Sequence, residues 1–304
     1  MSLFGRSRSG LDDLLSRPRP SLWDQFLAQP CIFLARKLYS WHQIIPAQPL
    51  SLPVSVVCIS DTHNSQPTIP DGDILIHAGD LTQSGSLAEL QATLAWLRAQ
   101  PHPIKIVVAG NHDLLLDTGY SESKKQALSD KDQLDWTGIT YLENMETTVI
   151  CPNGRHLNIY GSPYSPRHGN WAFQYPRSQN IWNELIPDGI DVLITHGPPR
   201  AHLDLNLGCA HLLPQLWGVR PRLHVFGHVH EGAGTQWLRY DGLQGAYERT
   251  VLAGGGLWNL LSTTWAFARA LFSPPVEARS LLVNASIVGG LRDNERRKPV
   301  KVVI

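Results

Sequence analysis

Five short apolar runs, each ending abruptly in a polar cluster, constrain this chain more than any other feature. Residues 54–60 (VSVVCIS), 74–78 (ILIHA), 104–109 (IKIVVA), 192–195 (VLIT) and 223–226 (LHVF) are rich in β-branched residues and have strand length. They run into Asp61-Thr62-His63, Gly79-Asp80, Gly110-Asn111-His112-Asp113, Thr195-His196-Gly197 and Gly227-His228-Val229-His230. Strands alternating with helices predict an α/β chain, and ligands of such sheets bind beyond the carboxyl ends of the strands. Five loops of this kind can therefore converge on one crevice.

The donors in these loops are carboxylates, imidazoles and one amide. Hard or borderline divalent ions accept that mixture, whereas thiolate sites need cysteine, and none of Cys31, Cys58, Cys151 and Cys209 lies in a cluster. Asp61 and His63 are two residues apart, as are His228 and His230, so in an extended segment each pair would point to one face. Glycine flanks the polar residue at Gly79, Gly110, Gly197 and Gly227, where it permits a sharp turn or a close backbone approach. Asp80, directly after a strand and between the other donors in sequence, suits a carboxylate that bridges two ions.

The ordered set D-x-H, G-D, G-N-H-D, H and G-H-x-H resembles the calcineurin-like metallophosphoesterase superfamily, over about residues 59–231. The resemblance implies a four-layer αββα sandwich of two mixed sheets flanked by helices. It implies two divalent ions, manganese first with iron or zinc as alternatives. Asp61, His63 and His230 would hold one and Asn111, His196 and His228 the other, with Asp80 between them. It implies catalytic roles for His112, contacting the phosphate and assisting the leaving group, and for Asp113, orienting His112 by a hydrogen bond. Hydrolysis by a metal-bridging hydroxide, formed as two ions roughly 3.5–4 Å apart acidify a shared water, would follow.

Longer stretches, DILIHAG at 73–79, IYGSP at 159–163, DVLITHGPP at 191–199 and VFGHVHE at 225–231, are similar to the metallophosphoesterase domain-containing branch. Its members resemble cyclic-nucleotide phosphodiesterases. Phosphoprotein phosphatases of the superfamily extend the second motif to G-D-x-V-D-R-G, but Gln83 and Ser84 stand here in place of the Asp and Arg. A small, nucleotide-like phosphodiester is the expected substrate. A phosphomonoester or phosphoprotein is the alternative, and a non-catalytic binding module a third reading, against which stands the complete ligand set.

Residues 161–175 (GSPYSPRHGNWAFQY) read as an ordered loop. Tyr164, Arg167, His168 and Trp171, with Asn111 and His112, could bind substrate through aromatic faces and a cation; packing is the competing reading. The histidines outside the motifs read as structural, with His77 singled out for its position three residues before Asp80.

Lys+Arg and Asp+Glu are 26 each in 304 residues, so the net charge is 26 − 26 = 0 and no basic field favours nucleic acid. The scattered cysteines suggest reduced thiols and a cytoplasmic protein. No secretory leader or membrane-spanning run is evident. The domain expectation is an N-terminal extension over 1–51 and a metallophosphoesterase domain over 52–304, with an apolar insertion or cap at 255–280. Helices are expected at 86–100, where Ser86 and Glu89 form a capping box, and at 121–133. Asn284-Ala285-Ser286 matches a glycosylation sequon, but its apolar setting predicts a buried strand. Segments 21–45 and 257–272 read chiefly as caps on the core, with membrane-surface or subunit contact as alternatives.

Overall fold

The computed structural model describes residues 21–42, 51–120, 130–274, 277–290 and 294–304. Helices α1 (Leu22–Ala28) and α2 (Pro30–Trp41) precede β1 (Ser55–Ile59), β2 (Ile74–Ala78), α3 (Leu87–Arg98), β3 (Ile104–Val108) and β4 (Thr140–Tyr141). β5 (Met145–Ile150), β6 (His156–Ser162), and the short β7 (Ser165–Pro166) and β8 (Gln174–Tyr175) lead to β9 (Val192–Thr195), α4 (Leu212–Val219) and β10 (Leu223–Phe226). The chain continues through β11 (Gly234–Arg239), α5 (Gly242–Leu252), α6 (Leu257–Ala270), β12 (Arg279–Asn284), β13 (Val288–Gly289), β14 (Glu295–Arg296) and β15 (Val300–Val303). All five apolar runs are strands, shortened by a residue or two at 54–60 and 104–109.

Two mixed sheets carry the fold, in the orders β15-β1-β2-β3-β4 and β11-β12-β10-β9-β6-β5. Within them β1, β2 and β3 are mutually parallel, as are β6, β9, β10 and β12. Side-chain alternation sets the layers. Val56, Cys58, Ile76 and Ile106 of the first sheet meet Ile159, Ile194, Val225 and Val283 of the second in a shared apolar core. The opposite faces carry Val57, Ile59 and Leu75 under Leu90, Leu94 and Leu97 of α3, and Leu193, Phe226 and Leu282 under Leu212 and Leu216 of α4. Helix, sheet, sheet and helix make the four expected layers.

Helix α3 starts where expected: the Ser86 hydroxyl accepts from the Glu89 amide, and Glu89 accepts from the Ser86 amide at 3.1 Å. The helix expected at 121–133 lies mostly outside the described residues, of which only 130 and 131 are helical. The stretch 257–272 is helical and packs one face of α6, through Leu260, Ala266, Phe267 and Ala270, on a cluster that includes Ile32, Ala35, Tyr39, Leu243 and Tyr247. Asn284 and Ser286 are buried as expected, although β12 ends at Asn284 and Ser286 lies beyond it in an isolated bridge to Ser60. Among the described residues, no helix is long and apolar enough to cross a membrane.

Candidate metal centre

The polar clusters meet at one rim of the sandwich, where strands of both sheets end. His196, after β9 of the second sheet, faces the Ala78 carbonyl of β2 in the first with its Nδ1 at 3.0 Å. Asp61, His63, Asp80 and His230 place donor atoms within 4.8 Å of one another, and Asp80, His196 and His228 form a second such group. Asp80 belongs to both. The Asn111 amide oxygen lies 3.0 Å from His196 Nε2 and so joins the second group.

Backbone conformation produces this convergence in a way the spacing did not indicate. Asp61, His63, Asp80 and His228 have φ of 51°, 43°, 53° and 66°, so the extended geometry expected for the two H-containing pairs is wrong. Left-handed backbone in residues with a Cβ costs energy and persists only where the surroundings hold it. Here the holding contacts are visible. The Asp61 amide donates to Gly79 O at 2.9 Å and the His63 amide to Asp80 O at 3.2 Å, stitching the first loop to the second. The His228 amide donates to Asp61 Oδ1 at 3.0 Å, and the His112 amide to Asp80 Oδ1 at 2.8 Å. Because the chain turns between them, His228 and His230 serve different groups.

Two glycines make room for the carboxylates. A Cβ at Gly110 would strike Asp80 Oδ1, and one at Gly227 would strike Asp61 Oδ2. Gly197, in contrast, faces the Tyr164–Ser165 backbone at 3.3 Å and serves packing.

The imidazoles are oriented from behind. His196 Nδ1 engages Ala78 O and His63 Nδ1 engages Thr82 O at 3.2 Å, which leaves each Nε2 for the centre. His63 Nε2 is 3.4 Å from His230 Nε2 and 3.8 Å from Asp80 Oδ2; His230 Nε2 is 3.3 Å from Asp61 Oδ1. Burial opposes charge on Asp61 and Asp80, yet His230 beside the first and His196 beside the second hold both carboxyls below the usual range. Burial likewise opposes charge on His196, but the Asp80 carboxylate lifts it to about 9. Burial holds His63 and His228 down, toward the neutral form in which imidazole ligates metals. Carboxylate oxygens, imidazole nitrogens and an amide oxygen are a donor set that fits divalent ions.

His112 borders the centre, its ring 4.7 Å from that of His63 and stacked on Trp171 at 4.2 Å. Its Nδ1 faces the Gln83 carbonyl at 2.8 Å. The hydrogen bond expected from Asp113 is therefore made by Gln83. Asp113 instead accepts from the amides of Gly110 at 2.8 Å, Leu81 at 3.2 Å and Thr82 at 3.0 Å, and from the Thr82 hydroxyl at 2.7 Å. It ties the second loop to the third. Burial, then the Asp80 charge, raises its carboxyl to about 6.

Of the four loop residues, Trp171 stacks on His112, His168 sets its ring 4.6 Å from His228, and Arg167 lines a groove with Trp171 and Tyr120. Tyr164 is half-buried and packs against the core, its ring edge-on to Tyr175 at 6.2 Å. It reads as a packing residue. The structure adds residues that motif reading missed. The Ser286 hydroxyl donates to Asp61 Oδ2 at 2.8 Å, and Asn284 Oδ1 accepts from the Ser286 backbone amide at 3.3 Å while the Asn284 side-chain amide donates to the Val229 carbonyl at 2.9 Å. The only signal for them was a polar pair inside an apolar strand. His77, buried, meets the Thr62 hydroxyl at 2.9 Å and braces the residue between Asp61 and His63.

The sequence profile described as Calcineurin-like phosphoesterase matches residues 54–232. The chain is 44% identical over 305 residues to the probable rhamnogalacturonate lyase C of Emericella nidulans, a match covering 98% of this chain and 29% of that protein. It is 42% identical over 205 residues to human metallophosphoesterase domain-containing protein 1, covering 59% of this chain and 61% of the other. A UPF0046 protein of Caenorhabditis elegans is 40% identical over 203 residues, with 60% and 70% covered. The chain thus spans less than a third of the first relative and about three fifths of the second.

Proposed function

Because this chain belongs to the calcineurin-like phosphoesterase family, we propose that it is a dinuclear-metal phosphoesterase that hydrolyses a small, nucleotide-like phosphodiester. The observation that carries the proposal is Asp80, whose carboxylate is shared by two donor groups. Asp61, His63 and His230 would hold one divalent cation and Asn111, His196 and His228 a second, with Asp80 bridging. Carboxylate, amide and imidazole donors suit manganese, iron or zinc. Two such cations supply Lewis acidity toward phosphate oxygens and acidify water to a nucleophile near neutral pH.

The remaining work belongs to side chains at the rim. With Nδ1–H donated to the Gln83 carbonyl, His112 turns its Nε2 outward, where the doubly protonated ring would donate its Nε2–H to a phosphate oxygen and pass that proton to the departing alkoxide, leaving neutral imidazole. Trp171, stacked on His112, offers an aromatic face for a base, and Arg167 a cation along the same groove. A phosphoprotein phosphatase is disfavoured because Gln83 and Ser84 stand where its extended motif has Asp and Arg, and the Ser84 hydroxyl donates to Glu89 at 2.6 Å. The lyase named for the fungal relative belongs to a protein of which this chain matches 29%, and the donor set does not call for it. Four free cysteines suit a reducing, cytoplasmic setting.

The test is turnover of a panel of cyclic and linear phosphodiesters, phosphomonoesters and phosphopeptides by metal-stripped protein, restored with each ion in turn. Diester turnover that returns only with divalent metal is the expected result. Failure with every ion and substrate, in protein that binds metal, would overturn the catalytic reading in favour of a binding module.

A further inference from the structure

Helix α6 buries one side and leaves the other uncovered. Its exposed side carries Trp258 (85% exposed), Leu261, Trp265 (68%) and Arg269, and Phe272 (91%) continues the line one turn past Trp265–Arg269. Steps of three and four residues place them on one stripe. Beneath Trp265 and Arg269, between α5 and α6, lies a cavity of about 320 Å³ lined also by Arg249 and Ser262. Arg239 on the same wall is paired with Asp241. Neither Arg249 nor Arg269 is paired with a carboxylate among the described residues. From 249 to 276 the sequence contains no Asp or Glu, and the Asp241 that lines the same cavity is taken by Arg239.

We propose that this face is a docking surface for an anionic phospholipid membrane, with the Trp258–Phe272 stripe entering the interface and Arg249 and Arg269 taking a phosphate headgroup. Tryptophan and phenylalanine beside arginine are the composition of helices that lie in the headgroup region, apolar side down. At 14 residues α6 spans about 21 Å, too short to cross a bilayer and suited to lying along one. A second copy of the chain fits less well. A two-fold contact through this stripe would bring Arg269 toward its own counterpart, and the stretch 249–276 has no acid to pair with either.

The experiment is co-sedimentation of the full chain with phosphatidylcholine vesicles and with vesicles containing phosphatidylserine, at low and moderate salt. Binding is expected to the second kind only and to weaken with salt. Arg269→Gln should lower partition roughly fivefold, the worth of one cation near an anionic surface. Trp258→Ser combined with Trp265→Ser should lower it at least as far, with unchanged melting temperature and unchanged turnover of soluble substrate, since both side chains are exposed and remote from the ligand set. Three outcomes overturn the proposal: no sedimentation at low salt, equal binding to neutral and anionic vesicles, or a concentration-dependent dimer that the double tryptophan variant dissolves.

Discussion

Asp80 carries two donor groups with one carboxylate because its backbone turns left-handed (φ 53°) immediately after β2, aiming the side chain between His63 and His196. Asp80→Ala should therefore lose nearly all turnover together with most bound metal, read by elemental analysis beside the assay. His112→Ala should keep its metal and lose roughly 10²- to 10⁴-fold in rate, the usual worth of a positioned acid; unchanged rate at full metal loading would remove His112 from the chemistry. Ser286, which the motifs do not include, holds Asp61 Oδ2. Ser286→Ala should weaken metal affinity by roughly 10- to 100-fold, measured by titration of stripped protein. At this scale the donor types were legible from the ordered motifs. Ser286, Asn284 and the Gln83 carbonyl were not, since each acts through a contact made across 29 to 225 residues of chain. Asp113 shows the converse: the family resemblance implied a bond to His112 that the loop geometry gives to Gln83.

Loops, not strands, are the elements that make the site. The strands were legible because β-branched runs with flanking glycine leave few other readings, and α3 because Ser86 and Glu89 announce its start. The left-handed turns were hidden, because aspartate and histidine, though enriched at positive φ, adopt it in only a minority of cases. Gly227, itself buried, serves those turns by leaving room for Asp61. Gly227→Ala should drive its methyl into Asp61 and cost metal affinity far more than the same change at Gly138, around which nothing lies within 4 Å. Strand β10 makes a separate prediction. His224 is buried, its Nε2 bonded to Thr195 at 2.8 Å, and burial lowers it from 6.5 to about 3. Between those values the unfolded chain binds the extra proton and the folded chain does not. The stability tied to its neutrality is thus complete above about pH 6.5 and lost as pH falls toward 3, at about 1.4 kcal/mol per pH unit. Denaturant midpoints across pH 7.5 to 5 should fall less steeply for His224→Gln than for the parent; parallel slopes would show that another group sets the acid limit.

Across the whole molecule, two sheets share one core and present their carboxyl ends to one rim, while α2 closes over α5 and α6 on another side. Tyr39 fastens that closure, donating to Gln244 at 2.6 Å and stacking on Tyr247 at 4.4 Å. Tyr39→Ala should cost roughly 3 kcal/mol, read as a denaturant midpoint shift, and leave metal binding intact because the site lies on the sandwich itself. The expectation that 257–272 caps the core accounts for one face of α6 and leaves its tryptophan face to a partner. What the sequence alone determined was chemistry and order: which donors exist, that each follows a strand, and that strands alternate with helices in an α/β chain. Those properties are local, set by residue type and periodicity. Which imidazole faces which carboxylate was decided only in three dimensions, because the partners come from separate sheets and depend on backbone turns held by distant hydrogen bonds.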